Sequence, residues 1–401
     1  MASTFQPNLG DPVTMSPKLI RTASLLLNLG LYWLALIFPK SSNLWIFGSW
    51  FGQSYSDNSR YLFEWVIENK PEIRAVWVTS NRAVHSQLMK QSREVYFRYS
   101  LKAIVLGLRA SVSVFVQSNE CDNMLFMNNP KTIQVQLWHG TPLKKIGLDD
   151  SRLISKSHLS MAKNVLFPFA NPRHDLITAS SQEDFSTFSS AFNSDQACIT
   201  GYARNDLLKP SPINFDAPTI AYLPTFRNKP GSKIDLLMAY GFNPKAWHSF
   251  LERINGTLII KMHPVNRADL NDALLPSGLH RIKLLEGHDA TQLIKEVDIL
   301  ITDYSSLFFD FLLCERPIIF APFGHSEYLQ KDRTFYYDYH NITPGPKCVD
   351  WNAVLSWSKR LFHSPQLFHD ERRCASGRFH AFSDHKNRER IFFAVKNLLD
   401  K

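Results

Sequence analysis

A chain of 401 residues, 44% hydrophobic and 20% charged, exceeds the usual size of one core and predicts two globular domains. Its five cysteines (Cys121, Cys198, Cys314, Cys348, Cys374) form no CxxC pair, which argues against a disulfide framework or a zinc cluster and fits a reducing cytoplasm. A formal net charge of +9 gives a surface that prefers anions, whether nucleic acid, acidic lipid or a phosphate-rich substrate, and charge alone does not choose among them.

The first element is LLLNLGLYWLALIF (25–38), an apolar run interrupted only by Asn28 and Gly30. It is shorter than the roughly 20 residues needed to span a bilayer, and Pro39 and Lys40 stand where a signal peptide would want small residues. Lys18, Arg21 and Lys40 flank it, so two readings stay open: a helix lying in a membrane interface, or a buried first helix of the N-terminal domain.

From residue 41 the pattern is that of parallel βαβ units. Strands are predicted at 44–50, 75–80, 111–118, 132–138 and 176–180, then at 220–226, 257–263, 281–285, 297–303 and 317–322, with helical segments such as Asn243–Ile254 and Asp289–Glu296 between. The proline-rich KPSPINFDAP (209–218) separates the two series. The predicted organisation is an N-terminal apolar and basic segment (1–40), a first Rossmann-like domain (41–208) and a second (209–401) ending in basic helices.

Open parallel sheets bind ligands at the carboxyl ends of their strands. In the first series those ends carry Ser49, the GQSYSDN loop with Asp57 and Asn58, and then His139, Gly140 and Thr141; in the second they carry Thr225 and Arg227, Lys261 and His263, and Thr302, Asp303, Ser305 and Ser306. Any one of these could be a turn residue satisfied by backbone, but two histidines, an arginine and a serine pair at one edge make a candidate site. In ITDYSSLFFDFLLCERPIIF (301–320), Ser305 is placed to cap a helix running from Ser306 to Cys314, whose free amides would accept a phosphate. An ordinary N-cap is the alternative. No GxxxxGK[ST] loop occurs and no GxGxxG follows a strand, which excludes a P-loop NTPase and the usual dinucleotide fold.

Seven segments in order, FGSWFGQSYSDNSRYLFEW (47–65), QLWHGTPLKKIG (136–147), GYARND (201–206), LPTFR (223–227), KMHP (261–264), TDYSSLFFDF (302–311) and YDYHNITPGP (337–346), resemble the CDP-glycerol glycerophosphotransferases, which build the polyol phosphate chains of teichoic acids and capsules. FSDHKNRERI (382–391) resembles the family's closing segment, with His385 where glycine is expected. The resemblance implies an α/β GT-B fold, two Rossmann-like domains facing across a cleft, with the CDP donor held mainly by the second. It implies transfer of a polyol phosphate from a CDP-polyol to a hydroxyl of a polyprenyl-lipid-linked or polyol-phosphate acceptor, with release of CMP. The enzyme is then peripheral at the cytoplasmic face of the membrane, with an anionic membrane surface as partner and no nucleic acid. The segment 359–401, with ten Lys and Arg against five Asp and Glu, is a second basic face for lipid, or a solvated helix face.

In that chemistry an acceptor hydroxyl is a weak nucleophile, and His139 is placed to take its proton. Gly140 lets the chain approach the ligand, and Thr141 and Lys144 steer or neutralise phosphate on the acceptor side. His263 donates to the diphosphate or the CMP leaving group, and Arg227, Lys261, Thr302, Asp303, Ser305 and Ser306 complete the donor cradle. Asp57 is the reserve candidate for the base. Mg²⁺ serves such reactions elsewhere, but no carboxylate pair is arranged for it, so no cofactor is assigned and Mg²⁺ is kept only as an option. Two rivals stand beside this reading: a GT-B nucleotide-sugar glycosyltransferase, and a non-catalytic protein that binds anionic polymer at the membrane surface. The choice among glycerol, ribitol and other polyols, the number of units added, and the oligomeric state are not fixed by the sequence.

Overall fold

All ten predicted apolar runs form strands, most of them buried on both faces as parallel strands are. The structure is a computed structural model and describes residues 17–118, 122–150, 166–225, 236–262, 278–285, 289–324 and 334–401. Helix α1 (Pro17–Ile37) leads into β1 (Ser41–Phe47), α2 (Asp57–Asn69), β2 (Arg74–Thr79), α3 (Arg82–Lys90), β3 (Val95–Phe97), α4 (Leu101–Arg109), β4 (Ala110–Phe115), β5 (Ile133–Gln136), β6 (Leu176–Ala179), α5 (Gln182–Phe192) and β7 (Ala197–Ile199). The second half continues with β8 (Thr219–Tyr222), α6 (Pro244–Arg253), β9 (Thr257–Ile260), β10 (Ile282–Leu284), α7 (Ala290–Lys295), β11 (Ile299–Thr302), α8 (Leu307–Phe311), β12 (Ile318–Phe320), α9 (Tyr339–Ile342), α10 (Trp351–His363), α11 (His369–Phe379) and α12 (Asn387–Leu399).

The strands make two wholly parallel sheets, ordered β3-β2-β1-β4-β5-β6-β7 and β10-β9-β8-β11-β12. The strands β3 and β7, absent from the sequence reading, are the two edges of the first sheet and only three residues long each. Strand order reverses between β1 and β4 and again between β8 and β11, and such switch points open a crevice at the carboxyl ends. The loops after β1, β8 and β11 therefore border the crevices and carry Ser49, Asp57 and Asn58, Thr225, and Asp303, Ser305 and Ser306, while His139 follows β5 and Lys261 follows β9.

Helix α1 has one face in the core of the first domain and one face exposed. Leu31, Tyr32 and Ala35 are buried in a cluster with Leu44, Ile46, Val76 and Val78. Asn28, which breaks the apolar run, is a core connection: its Oδ1 accepts from Phe126 N and from the Tyr99 hydroxyl, each at 3.1 Å. The opposite face leaves Leu26, Leu27, Trp33, Leu34 and Ile37 44–77% exposed. Among the described residues no helix is long and apolar enough to cross a membrane.

The boundary expected for the second domain needs one correction. Helix α12 returns to the first sheet, where Ile391, Phe392 and Val395 join its core and Phe392 stacks on Trp45 with centroids 5.4 Å apart. The return is anchored at its start, where Asp206 accepts from the backbone of Asn387 (2.8 Å) and from Arg388 Nε (2.8 Å). Apolar residues at helical spacing declare a buried face but not which sheet covers it, so the reading by sequence order assigned this helix to the nearer domain.

Candidate active site

The first wall of the site is built from backbone that ordinary residues avoid. After β1, Trp50, Phe51 and Asp57 have φ of 45°, 60° and 64°, and after β5 Trp138 has φ 53° and Gly140 φ 113°. Left-handed non-glycine residues persist only where their surroundings hold them, and they concentrate at functional sites. Here the hold is visible. Asn58 Nδ2 donates to the carbonyls of Leu137 (3.3 Å) and Trp138 (2.9 Å), and Arg204 Nη2 donates to the carbonyl of His139 (3.0 Å). The half-buried His139 ring stacks on Trp138 at 4.3 Å and lies 5.6 Å from the Trp50 ring.

Asp57, the reserve candidate for the base, has its carboxylate taken up by structural partners. Its carboxylate is buried, its Oδ1 accepts from Arg204 Nη1 at 2.6 Å and from Asn58 N at 2.8 Å, and its Oδ2 accepts from Trp50 Nε1 at 3.0 Å. Thr141 is fully buried and its hydroxyl donates to Asp184 at 3.0 Å. Asn58 supports the loop from behind. Lys144 does reach the crevice, with Nζ 3.4 Å from the hydroxyl of Thr225 at the end of β8.

That contact belongs to a seam between the domains. Lys145 N donates to Thr334 O (2.8 Å) and Tyr336 N to Leu143 O (3.0 Å), so the loop after β5 is paired with residues of the second domain. His380 spans the same boundary: Nδ1 is 2.9 Å from the Ser180 hydroxyl and Nε2 is 2.7 Å from the Phe309 carbonyl. Only Nε2 as donor suits the carbonyl, which leaves Nδ1 to accept, and burial lowers the pKa and so favours this neutral ring.

On the second wall, Ser305 and Ser306 are half-buried at the mouth of β11. The expected nine-residue helix is α8, five residues long, followed by a 3-10 turn at Leu312–Cys314, and Ser306 occupies the N-cap position without a side-chain cap; the Ser305 hydroxyl accepts weakly from Leu307 N at 3.4 Å. Thr302 and Asp303 are fully buried, Thr302 donating to Leu223 O (2.7 Å) and Asp303 Oδ1 accepting from Thr225 N (2.7 Å) and Tyr304 N (2.6 Å). They tie the ends of β8 and β11 together. Lys261 follows β9, half-buried, with its backbone N–H on Tyr222 O (3.1 Å). Arg227 and His263 lie outside the described residues.

The most heavily buried polar groups here were not read as chemistry in the sequence. Arg204, within GYARND, joins Asp57 at 2.6 Å and Asp310 at 2.5 Å. Burial opposes its charge, but the carboxylates of Asp310 and Asp57 outweigh that and raise its pKa. Asp184 accepts from Thr141, from the Tyr202 hydroxyl at 2.5 Å and from Ser180 N at 3.2 Å. Burial pushes its carboxyl up to about 7, against these hydrogen bonds and with help from the charge of Asp310. Among the described residues no three His, Cys, Asp or Glu side chains are grouped to hold a metal ion.

Against this geometry the comparisons are consistent. The family model for CDP-glycerol:poly(glycerophosphate) glycerophosphotransferases matches residues 31–397. The chain is 27% identical over 373 residues to a teichoic acid glycerol-phosphate transferase of Staphylococcus aureus, covering 88% of this chain and 92% of that one. It is 29% identical over 350 residues to a teichoic acid poly(glycerol phosphate) polymerase of Bacillus spizizenii, covering 80% and 84%. A solved structure of the wall teichoic acid polymerase TagF shares the fold, with a TM-score of 0.73 at 21% identity over 95% of this chain and 96% of that one.

Proposed function

The chain belongs to the CDP-glycerol:poly(glycerophosphate) glycerophosphotransferase family, and on that premise we propose that it transfers glycerol phosphate from CDP-glycerol to a hydroxyl of a teichoic acid acceptor, releasing CMP. The observation that carries this reading is His139, held by strained and doubly anchored backbone at the carboxyl end of β5, beside the seam where the two domains meet. An acceptor oxygen forms a bond to the phosphorus that bears glycerol, the bond from that phosphorus to the oxygen shared with CMP breaks, and CMP leaves with that oxygen. His139 takes the acceptor proton as the new bond forms.

Lys144 reaches the crevice from the His139 side and suits phosphate there, while across the crevice Lys261, Ser305 and Ser306 suit the diphosphate, as charge and hydroxyl donors in advance of the developing negative charge. Arg227 and His263 belong to the same proposal on their chemistry: a planar fork for paired phosphate oxygens, and a proton donor for the leaving group. The exposed apolar face of α1 extends to Leu101 and Val105 on α4, which packs against it, with Lys102 and Arg109 exposed on the same helix. That face suits an anionic bilayer at its cytoplasmic side, where a lipid-carried acceptor would present its growing end.

The test is incubation of the purified protein with CDP-glycerol, CDP-ribitol, UDP-sugars and GDP-sugars, each with a glycerol-phosphate-terminated acceptor analogue, followed by mass analysis. Acceptor mass should rise by glycerol phosphate units with CDP-glycerol alone. Elongation by a sugar, with UDP or GDP released, would overturn the proposal.

A further inference from the structure

Arg204 makes more contacts than a charge pair needs. Its Nη1 meets Asp57, its Nη2 meets both Asp310 and the carbonyl of His139, and its own backbone N–H donates to Asn58 Oδ1 at 3.0 Å. Asp57, Asn58 and His139 belong to the first domain; Asp310 lies on α8, which opens immediately after Ser305 and Ser306. One guanidinium thus touches the loop that carries His139 and the helix that follows the serines of the other wall.

We infer that Arg204 is a positioning residue for the transfer, a lock that fixes the His139 loop against α8 so that the base and the donor-side serines share one geometry. Three observations support it. The first is strain: the two segments it holds carry Asp57, after β1, and Trp138 and Gly140, after β5, in left-handed conformations, which need a buttress. The second is space, since a Cβ on Gly140 would sit 2.5 Å from Arg204 Nη2; the glycine both turns the chain and makes room for the guanidinium. The third is energetic. A buried ion triad is a poor source of stability, because a well-packed apolar cluster of the same volume generally does as well. What an apolar cluster lacks is the planar fork, whose fixed N–H directions set two carboxylates and a carbonyl at defined angles.

The inference rests on His139 acting as the base, and the experiment separates the two. Full-length His139→Ala, Arg204→Lys, Asp310→Asn and the Arg204→Lys/Asp310→Asn double variant are compared with wild type for kcat, for KM toward CDP-glycerol, and for direct CDP-glycerol binding. Misplacement of a catalytic group by about 1 Å can cost a hundredfold, so each lock variant should lose about tenfold to a hundredfold in kcat, with CDP-glycerol binding within about threefold of wild type. The double variant should be no worse than about the weaker single, because both changes open one lock. Asp310→Asn keeps shape and volume, so it carries the test if Arg204→Lys does not fold. Wild-type kcat in Asp310→Asn, multiplying defects in the double variant, or a loss confined to donor affinity would each overturn the lock while leaving an inactive His139→Ala intact. Full turnover in His139→Ala would overturn the base and the lock together.

Discussion

Burial decides what each polar residue at the crevice does. Thr141 and Asp57 are polar residues in the two segments around His139, yet both face inward, to Asp184 and Arg204. The sequence could not tell this, because direction depends on φ at Asp57 and on partners more than 40 residues away. Arg204 and Asp310 stand in segments that mark the family, and the signal that could have found them is charge: an arginine and an aspartate set among residues otherwise suited to a core. Asp184 allows a measurement at this scale. Its folded pKa of about 7 lies above the unfolded value, so between about pH 4 and pH 7 the folded state binds the extra proton. That stability is fully present at low pH, falls as pH rises through this window and levels off above about pH 7. Asp184→Asn removes the titration while keeping an acceptor, so the wild-type minus variant difference in unfolding free energy should fall by the order of 2–4 kcal/mol between pH 4 and pH 8. A difference that stays constant, measured by denaturant titration at the two pH values, would mean that Asp184 does not carry the proton.

Among the elements, the long and periodic ones were legible and the short ones were not. The predicted strands read as apolar runs, whereas β3 and β7 are short edge strands that each bury only one residue, Val95 and Ala197, and so do not stand out from loop. Helix α8 stops at five residues because the chain tightens into a 3-10 turn at Leu312–Cys314 and Glu315 takes a left-handed φ of 56°. Helix α1 is apolar on both faces, one in the core and one exposed, which a run of leucines cannot divide by itself. Deleting α1 would strip Leu31, Tyr32 and Ala35 from the first core, so a test of membrane docking must spare them. The triple change Leu27→Gln, Trp33→Gln and Leu34→Gln touches only the exposed face and should alter folding stability by about 1 kcal/mol or less, as surface substitutions do. Burial of three such side chains at an interface is worth several kcal/mol, so binding to vesicles of phosphatidylglycerol and phosphatidylcholine should drop by more than about tenfold. Undiminished sedimentation with the vesicles would remove α1 as the docking element.

At the scale of the molecule, two parallel sheets bring their switch points together, and the chain crosses between domains twice, at 209–218 and again into α12. The first crossing announces itself by prolines; the second carries no compositional mark and is fixed only by packing of Phe392 on Trp45 and by Asp206 at the helix start. Together with the seam of Leu143 and Lys145 on residues 334–336, these contacts hold the loop that carries His139 against the second domain. The most direct test follows CDP-glycerol and acceptor in wild type and in His139→Ala, counting CMP released and glycerol phosphate gained by the acceptor. Wild type should give the two in equal amounts, and His139→Ala should bind CDP-glycerol nearly as well while its transfer rate falls by roughly a hundredfold to ten-thousandfold, the range of a lost general base. Release of CDP in place of CMP, or a His139→Ala enzyme that keeps most of its turnover, would contradict the mechanism.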